Sequence, residues 1–184
     1  MGVVCEIDRS YQSIKSFYRL NCETRKFHCL PPQPFYFFKN LYNSVLKQKL
    51  GIVVLAYYRE KVIAGAVCLN FGNKAIYKYG ASDKSYNNLR GNNAVMWNAI
   101  KWYAKKGYPV FDMGRTEPHN TGLQQYKNGW GTTMNIIEYY KYDIKKNKIV
   151  KMNPEIPRLF QKLFSASPIF LLRALGNLAY RHIG

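Results

Sequence analysis

The spacing of apolar and polar residues divides the chain into a helical start, a run of strands and a mixed second half. Between residues 10 and 46, apolar side chains recur at three- and four-residue intervals. This spacing predicts two helices separated by the proline-rich segment 30–34. Either Ser10 or Asp8 is suited to cap the first helix. We expect the two helices to cover one side of a sheet.

From residue 51 the pattern changes to short runs rich in β-branched and aromatic residues, separated by polar turns. The runs Ile52–Tyr58, Val62–Phe71 and Ala75–Ala81 predict three strands, and their short connections predict an antiparallel meander. A helix over Asn92–Lys106 and a strand over Val110–Met113 follow. Because strand, helix and strand form a crossover, the last strand should lie parallel to Ala75–Ala81.

In the second half of the chain, the apolar and polar residues follow a less regular pattern. A helix at Thr121–Lys127 and a strand at Thr133–Asp143 are predicted first. An amphipathic stripe at residues 156–164 follows, and a helix over Ile169–Ile183 that we expect Gly176 to interrupt. We expect this basic tail to pack against the rest of the chain. The alternative is that its aromatic face lies on anionic lipid.

Length and composition fit a single folded domain. The chain has 184 residues, 47% of them hydrophobic, which excludes a disordered protein. We predict a domain over 1–145 and a basic helical extension over 146–184, packed on the same domain. No apolar run approaches the roughly 18 residues that a membrane-spanning helix needs, and the N-terminus does not resemble a secretory signal.

The formal net charge of +18 favours an anionic partner. Nucleic acid, a phosphorylated cofactor and an anionic membrane face all fit, and so does a simple role in solubility. The four cysteines form no C-x-x-C pair, and there are three histidines. This pattern predicts free thiols in a reducing cytoplasm and no metal site. A cytoplasmic location is therefore expected, with the inner face of the membrane as an alternative.

The stretch 111–131 gathers the most chemically useful side chains. Asp112 ends a predicted parallel strand, where ligands bind in open sheets, so it is a candidate to orient or deprotonate an amine. The alternative is that Asp112 pairs with Arg115 and only holds the loop. Lys127 can stabilise an oxyanion or bind phosphate, or it can simply offset the negative end of its helix.

The polar loop before the third helix is a candidate phosphate site. Helix N-termini have unpaired N–H groups and a dipole that favours anions. Asn88 begins this segment, Arg90 supplies charge and Gly91 permits close approach of the backbone. Asn92 or Asn93 is expected to cap the helix. The alternative is an ordinary capped turn.

Three linked motifs carry a family resemblance over roughly residues 10–143. They are Trp97-x-x-Ile100-x-Trp102-x3-Lys106-Gly107, Phe111-Asp112-x-Gly114-Arg115, and Asn120-x-Gly122-Leu123-x-x-Tyr126-Lys127-x-x-Trp130-Gly131. On these motifs the chain resembles FemABX-like and related GNAT-type acyltransferases. The resemblance implies one GNAT-like α/β domain. Its mixed, mostly antiparallel sheet would have one splayed parallel strand pair and helices on both faces.

The resemblance also implies an activity. The chain would transfer an acyl or aminoacyl group from acetyl-CoA, another acyl-CoA or aminoacyl-tRNA to a free amine. The acceptor would belong to a cell-envelope sugar or a peptidoglycan precursor. Lys127 is implied in catalysis, together with Asp112 and Arg115. The 88–93 loop is expected to bind the donor. The residues predicted to bind the substrate are Tyr126, Asn120 and Trp130.

The chain departs from the family in two ways. FemABX proteins carry tandem GNAT-like domains, and this chain resembles the carboxyl half, so a second GNAT-like domain or a homodimer is expected. The segment Asn88-x-x-Gly91-x-Asn93 differs from the usual phosphate loop, which has Gln or Arg first and Gly or Ala last. The competing hypothesis is a non-catalytic GNAT-fold module that binds RNA, such as tRNA, or makes a peripheral contact with anionic membrane.

Overall fold

The structure is a computed structural model that describes residues 2–150, 164 and 167–180. It has two compact units, formed by residues 1–114 with 161–184 and by residues 115–160. In chain order the described elements are β1 (Val3–Asp8), α1 (Tyr11–Phe27), α2 (Phe35–Leu41) with a π-helical turn (Tyr42–Leu46), β2 (Gly51–Tyr58), β3 (Lys61–Phe71), β4 (Lys74–Ser82), a 3₁₀ segment (Lys84–Leu89), α3 (Gly91–Lys105), β5 (Val110–Asp112), α4 (Thr121–Asn128), β6 (Lys141–Asp143), β7 (Lys148–Val150) and α5 (Ile169–Ala179).

The first unit contains a five-stranded sheet in the order β1-β2-β3-β4-β5. Strands β1 to β4 are antiparallel neighbours and β5 is parallel to β4, which confirms the predicted meander and crossover. Strand β1 was not predicted. It pairs with β2 from Val3 opposite Tyr58 to Asp8 opposite Val53, and its residues alternate between half-buried and exposed.

Helices cover both faces of this sheet, as predicted. Strand β2 is almost entirely apolar because its alternate residues enter two different cores. On one face, α1 and α2 contribute Ile14, Phe17 and Phe38, which pack with Val53, Leu55 and Val67. On the other face, α3 contributes Val95, Ala99 and Tyr103, which pack with Ile52, Val54 and Ala66.

The helix caps follow the prediction at α1 but not at α3. Ser10 caps α1, and its hydroxyl accepts a hydrogen bond of 3.0 Å from the Ser13 N–H. At α3 the N-cap is Arg90, in the left-handed conformation with φ 53°, and no side chain caps the helix. The expectation that Asn92 or Asn93 is the cap is therefore wrong, because both lie inside the first turn.

Helix α5 runs through Gly176 without a break, so the predicted interruption is wrong. A Cβ atom at this position would lie 2.1 Å from the carbonyl oxygen of Pro32, so glycine allows the helix to pass directly over the proline-rich segment. Leu172 is fully buried, and Arg173 Nε donates a hydrogen bond of 3.1 Å to the Tyr18 hydroxyl. Helix α5 is thus packed on α1.

Two predictions for the tail remain predictions. The stripe at 156–164 lies outside the described residues except for Phe164. The division into 1–145 and 146–184 also stays a prediction. None of the described helices combines the length and apolar character needed to cross a bilayer.

The second unit contains α4, as predicted, and a small hairpin of β6 and β7. The predicted strand over Thr133–Asp143 is wrong, because only Lys141–Asp143 is a strand and residues 132–140 are irregular. This segment has strand-forming residues, yet Ile136 and Tyr140 are 85% and 69% exposed. Strand propensity depends on packing against neighbouring strands, which the apolar composition alone does not supply.

Candidate functional site

The first feature of the site is an open strand edge in the first unit. Parallel pairing between β4 and β5 covers three residue pairs and ends with Ile76 opposite Asp112. Strand β4 continues to Ser82, so beyond Ile76 no strand of the described residues pairs with it on this side. Six further residues at about 3.3 Å each make an edge of about 20 Å. Its backbone N–H and C=O groups can pair with an extended ligand.

The turn after β5 accounts for the separation of the two strands. Asp112 is exposed, and its Oδ1 accepts a hydrogen bond of 2.6 Å from the Gly114 N–H. Gly114 has φ +73°, a conformation that favours glycine, and a Cβ there would lie 3.3 Å from the Tyr77 carbonyl oxygen. The chain therefore turns sharply beside Tyr77, where the open edge begins.

The second feature is the connection from β4 to α3. Asp83 accepts a hydrogen bond of 3.0 Å from the Ser85 N–H and forms an ion pair of 2.8 Å with Lys61. The Lys61 ammonium, followed by the Ser85 hydroxyl, lowers the pKa of Asp83. Asp83 therefore holds the start of the 3₁₀ segment to the β2–β3 turn. Asp83 was not predicted, because a single aspartate after a strand has no distinguishing motif.

Helix α3 begins at the end of this connection with no side-chain cap. Its first-turn N–H groups and the positive end of its dipole can therefore interact with an anion. Arg90, Asn88 and Asn93 are all exposed around this N-terminus.

Asn92 and Gly91 have structural contacts instead of facing the solvent. The Asn92 side-chain amide donates a hydrogen bond of 3.1 Å to the Ser82 hydroxyl. Gly91 is buried, and a Cβ there would lie 3.0 Å from the Ala64 Cβ, so this glycine serves close packing of α3 on β3. Of the five residues predicted to bind the cofactor, Asn88, Arg90 and Asn93 have exposed side chains.

The C-terminal end of β4 forms hydrogen bonds with α1 and α3. The Ser82 N–H donates a hydrogen bond of 2.9 Å to the Thr24 hydroxyl, which in turn donates one of 3.2 Å to the Ser82 carbonyl. Together with Asn92, these bonds connect α1, β4 and α3. Thr24 and Ser82 were not predicted, because lone hydroxyl residues within a helix and a strand carry no sequence signal.

In the second unit, the turn over residues 115–120 folds back on α4. The Arg115 guanidinium lies 3.1 Å from a Glu117 carboxylate oxygen and 5.2 Å from the centroid of the Tyr139 ring. The Asn120 side chain caps α4 by accepting a hydrogen bond of 3.1 Å from the Leu123 N–H. Asn120 was predicted to bind substrate, and in the structure its side-chain oxygen is used as this helix cap.

Lys127 contacts the same turn from the last turn of α4. It is half-buried, and its ammonium donates a hydrogen bond of 3.2 Å to the Arg115 carbonyl. Thr116, also in the turn, has a buried hydroxyl with no hydrogen-bond partner among the described residues. Buried hydroxyls are normally paired, so Thr116 is a further candidate for contact with a ligand that sequence reasoning missed.

Tyr126 and Trp130 form a separate aromatic pair in this unit. Their ring centroids lie 6.2 Å apart in a T-shaped arrangement. Burial raises the pKa of Tyr126, so its hydroxyl stays protonated at neutral pH and can donate a hydrogen bond. Among the described residues there is no cluster of three or more His, Cys, Asp or Glu side chains that could hold a metal.

The structure thus brings the predicted residues together in two groups. In the first unit, Asp112 and the 88–93 loop lie at opposite ends of the open β4 edge. In the second unit, Arg115, Asn120 and Lys127 belong to one turn and the helix it contacts.

Comparison with known proteins gives this geometry a context. The family described as "Acetyltransferase (GNAT) domain" matches residues 2–128. Among solved structures, FemX is similar with a TM-score of 0.64 at 16% identity, over 72% of this chain and 50% of that chain. The structure of AAC(6')-Iy in complex with the bisubstrate analogue CoA-S-monomethyl-acetylneamine has a TM-score of 0.62 at 14% identity, over 78% of this chain and 100% of that one.

Two curated relatives are both named lipid II:glycine glycyltransferase. The one from Staphylococcus epidermidis is 30% identical over 76 residues, which is 38% of this chain and 18% of that protein. The one from Staphylococcus aureus is 26% identical over 96 residues, which is 49% of this chain and 23% of that protein. The chain therefore matches less than a quarter of the length of these relatives.

Proposed function

Because the chain belongs to the acetyltransferase (GNAT) domain family, we propose that it is an N-acyltransferase whose open β4 edge binds an extended acyl donor. The observation that carries this proposal is the end of β4–β5 pairing at Ile76 and Asp112, well before β4 itself ends. This edge has a carboxylate at one end and an uncapped helix N-terminus at the other. A donor that carries an acyl group at one end and a phosphate group at the other fits that arrangement.

An acyl-CoA is the donor that we favour. Its phosphates would contact Arg90 and the first N–H groups of α3, with Asn88 and Asn93 beside them. Its pantetheine arm carries amides that can pair with the backbone of Tyr77–Ala81. The thioester would then lie near Asp112. Aminoacyl-tRNA is the alternative donor, with an ester in place of the thioester.

The reaction needs no covalent enzyme intermediate. The acceptor amine attacks the thioester or ester carbonyl, and its proton passes to the carboxylate of Asp112, directly or through water. The leaving thiolate or ribose oxygen then takes up a proton. Lys127 and backbone N–H groups stabilise the oxyanion formed on the way. Arg115, Tyr126 and Thr116 are available to hydrogen-bond the acceptor.

We propose that the acceptor is an amine on a peptidoglycan precursor or a related cell-envelope sugar. This proposal is supported by the similarity to lipid II:glycine glycyltransferases. The fold covers half of FemX, which supports the proposal that a second GNAT-like domain or a homodimer completes the acceptor cleft. The reaction would take place in the cytoplasm, at the inner face of the membrane.

The donor is tested by thermal unfolding of the purified chain with acetyl-CoA, with CoA and with aminoacylated tRNA. A ligand at about 100 times its dissociation constant adds about 2.7 kcal/mol to the free energy of unfolding. Stabilisation by acetyl-CoA and CoA supports an acyl-CoA as the donor. Stabilisation by charged tRNA alone supports aminoacyl-tRNA as the donor. If none of the three stabilises the protein, the proposed donor site on β4 is wrong.

Lys127 is tested by the substitution Lys127→Ala, with Lys141→Ala on exposed β6 as the matched control. Loss of one oxyanion donor lowers kcat by about 100- to 1,000-fold. The control should retain wild-type kcat, and circular dichroism should show both variants folded. A folded Lys127→Ala variant with unchanged kcat would remove this lysine from the mechanism.

The net charge of +18 supports a second candidate function, a non-catalytic module that binds RNA. Such binding would weaken steeply with salt, because each neutralised phosphate releases counterions. A steep salt dependence of tRNA binding, combined with no acyl transfer and no stabilisation by acetyl-CoA, would favour this candidate over the enzyme.

A further inference from the structure

A basic pocket lies at the opposite end of α3 from the proposed donor site. It is an open pocket of about 510 Å³ in the first unit. Three of its lining side chains are cationic, two are aromatic and none is acidic: Arg9, Lys49, Lys106, Trp102 and Tyr108. Two of these, Trp102 and Lys106, belong to a sequence motif that the proposed reaction does not use.

Two of the three cations of this pocket, Arg9 and Lys106, are held by contacts with other parts of the fold. Arg9 Nε donates a hydrogen bond of 2.9 Å to the Gly51 carbonyl, and the guanidinium lies 5.1 Å from the centroid of the Trp102 ring. The Lys106 ammonium lies 5.9 Å from the same ring. Lys106 is also the C-cap of α3, with its backbone N–H bonded to the Trp102 carbonyl at 3.1 Å.

No ion pair among the described residues neutralises their charge. In the part of the chain that the structure describes, the ion pairs are Lys61 with Asp83 and Arg115 with Glu117, so no pocket cation takes part. The C-terminal end of α3 contributes only about half a negative charge. Three full positive charges therefore outweigh it, and the pocket attracts an anion.

We infer that this pocket is a second anion-binding site, which takes a phosphate or pyrophosphate group. Arg9 provides its terminal amino groups, since only its Nε is used by Gly51. Lys49 and Lys106 provide ammonium groups, and Trp102 and Tyr108 give an apolar wall for the carbon skeleton next to the phosphate. The 15 residues of α3 rise about 22 Å, so this site is separate from the Arg90 loop and does not depend on the proposed acyl transfer.

Two lysine substitutions test the site without disturbing the fold. Lys49 has φ 60°, so Lys49→Gly removes the charge and suits the backbone. Lys106→Gln removes the second charge at the surface. The matched control is Lys105→Gln, which changes the same net charge one residue earlier on an exposed position outside the pocket.

The probe is inorganic pyrophosphate, measured by Trp102 fluorescence in a chain that also carries Trp97→Phe and Trp130→Phe, with calorimetry as the second readout. The chain has three tryptophans, so the signal then comes from the pocket alone. Each lysine substitution should weaken binding by about tenfold or more, and Lys105→Gln should change it by less than about twofold. Equal loss in the control, or no fluorescence change at Trp102 on binding, would overturn the inference.

A second arm separates a free phosphate from a lipid headgroup. Phosphatidylcholine vesicles with and without phosphatidic acid are sedimented with the same variants. Vesicle binding that needs both phosphatidic acid and the two lysines identifies a membrane phosphate as the source, even if free pyrophosphate binds weakly. If neither probe depends on Lys49 and Lys106, the pocket is not an anion site.

Discussion

Arg90 offers a test in which protein stability and donor affinity should change in opposite directions. It occupies the left-handed region with φ 53° and ψ 38° immediately before α3. A non-glycine residue in this conformation costs about 1–2 kcal/mol, which Arg90→Gly would recover. Glycine also makes the unfolded chain more flexible, at a cost of about 0.4–1 kcal/mol. The net expectation is a gain of about 0–1.6 kcal/mol, or up to about 6 °C in Tm.

Donor affinity should fall in the same variant. A hydrogen bond to a charged group contributes about 1.5–3 kcal/mol, so loss of the Arg90 guanidinium should weaken acetyl-CoA binding by about 10- to 100-fold. Calorimetry measures the affinity and thermal unfolding measures the stability. Arg90→Lys, which keeps a positive charge, should fall between wild type and Arg90→Gly in affinity.

The control is Arg59→Gly in the β2–β3 turn, where the arginine also has a left-handed conformation, with φ 46°. This substitution removes the same charge and relieves the same kind of backbone strain, away from the loop. Its stability should change like that of Arg90→Gly, while acetyl-CoA affinity stays near the wild-type value. Equal loss of affinity in both variants would mean that only the overall charge matters, and unchanged affinity in Arg90→Gly would exclude Arg90 from the donor site.

Three further substitutions test other contacts. Thr116→Val removes a buried, unpaired hydroxyl. Urea unfolding should show that the free energy of unfolding rises by up to about 1 kcal/mol. If the hydroxyl binds the acceptor, KM for the acceptor should rise as well. Asp83→Asn keeps a capping oxygen but removes the ion pair with Lys61, so it should lower the free energy of unfolding by about 0.2–1 kcal/mol at pH 7. Because the folded pKa of Asp83 is lowered, this difference from wild type should persist at neutral pH and close as pH falls below about 4. Gly176→Ala places a Cβ against the Pro32 carbonyl and should lower Tm at a cost of about 1–3 kcal/mol.

The sheet of the first unit could be predicted because its strands obey local rules. Apolar β2 and β3, joined by a tight polar turn, must be antiparallel neighbours, and the crossover to β5 then has one strongly favoured hand. Strand β1 carried only a weak signal, since apolar and polar side chains alternate over residues 5–8 and Val4 breaks the pattern before them. Four residues of alternation next to a helix cap are too short to separate a strand from an irregular start, and only pairing with β2 decides it.

The wrong predictions share a different cause, which is contact between residues far apart in sequence. Gly176 looks like a helix breaker, yet its role depends on Pro32, 144 residues earlier. Asn92 looks like a helix cap, yet its amide binds Ser82 across the β4–α3 connection. Residues 132–140 look like a strand, but a strand needs a neighbour that composition does not reveal.

The candidate site shows the same division. The position of Asp112 at the end of a parallel strand follows from topology, and so does a helix start after the other end of β4, although the absence of a side-chain cap there was not predicted. The hydroxyls of Thr24 and Thr116 matter only through burial and pairing, so no motif could have identified them. The chemical roles of Asp112 and Lys127 remain predictions that rest on the family and on the kinetic tests above.

Helix α3 connects the two anion sites that we propose, and this arrangement makes a final test possible. Arg90 lies at its N-terminus and Lys106 at its C-terminus, about 24 Å apart along the helix axis. Exposed charges at this distance are screened at physiological salt, and substitutions without shared partners normally add. In the double variant Arg90→Gly with Lys106→Gln, acetyl-CoA affinity should match that of Arg90→Gly alone, and pyrophosphate binding at Trp102 should match that of Lys106→Gln alone. A coupling larger than about 0.5 kcal/mol would mean that both ligands use one continuous site.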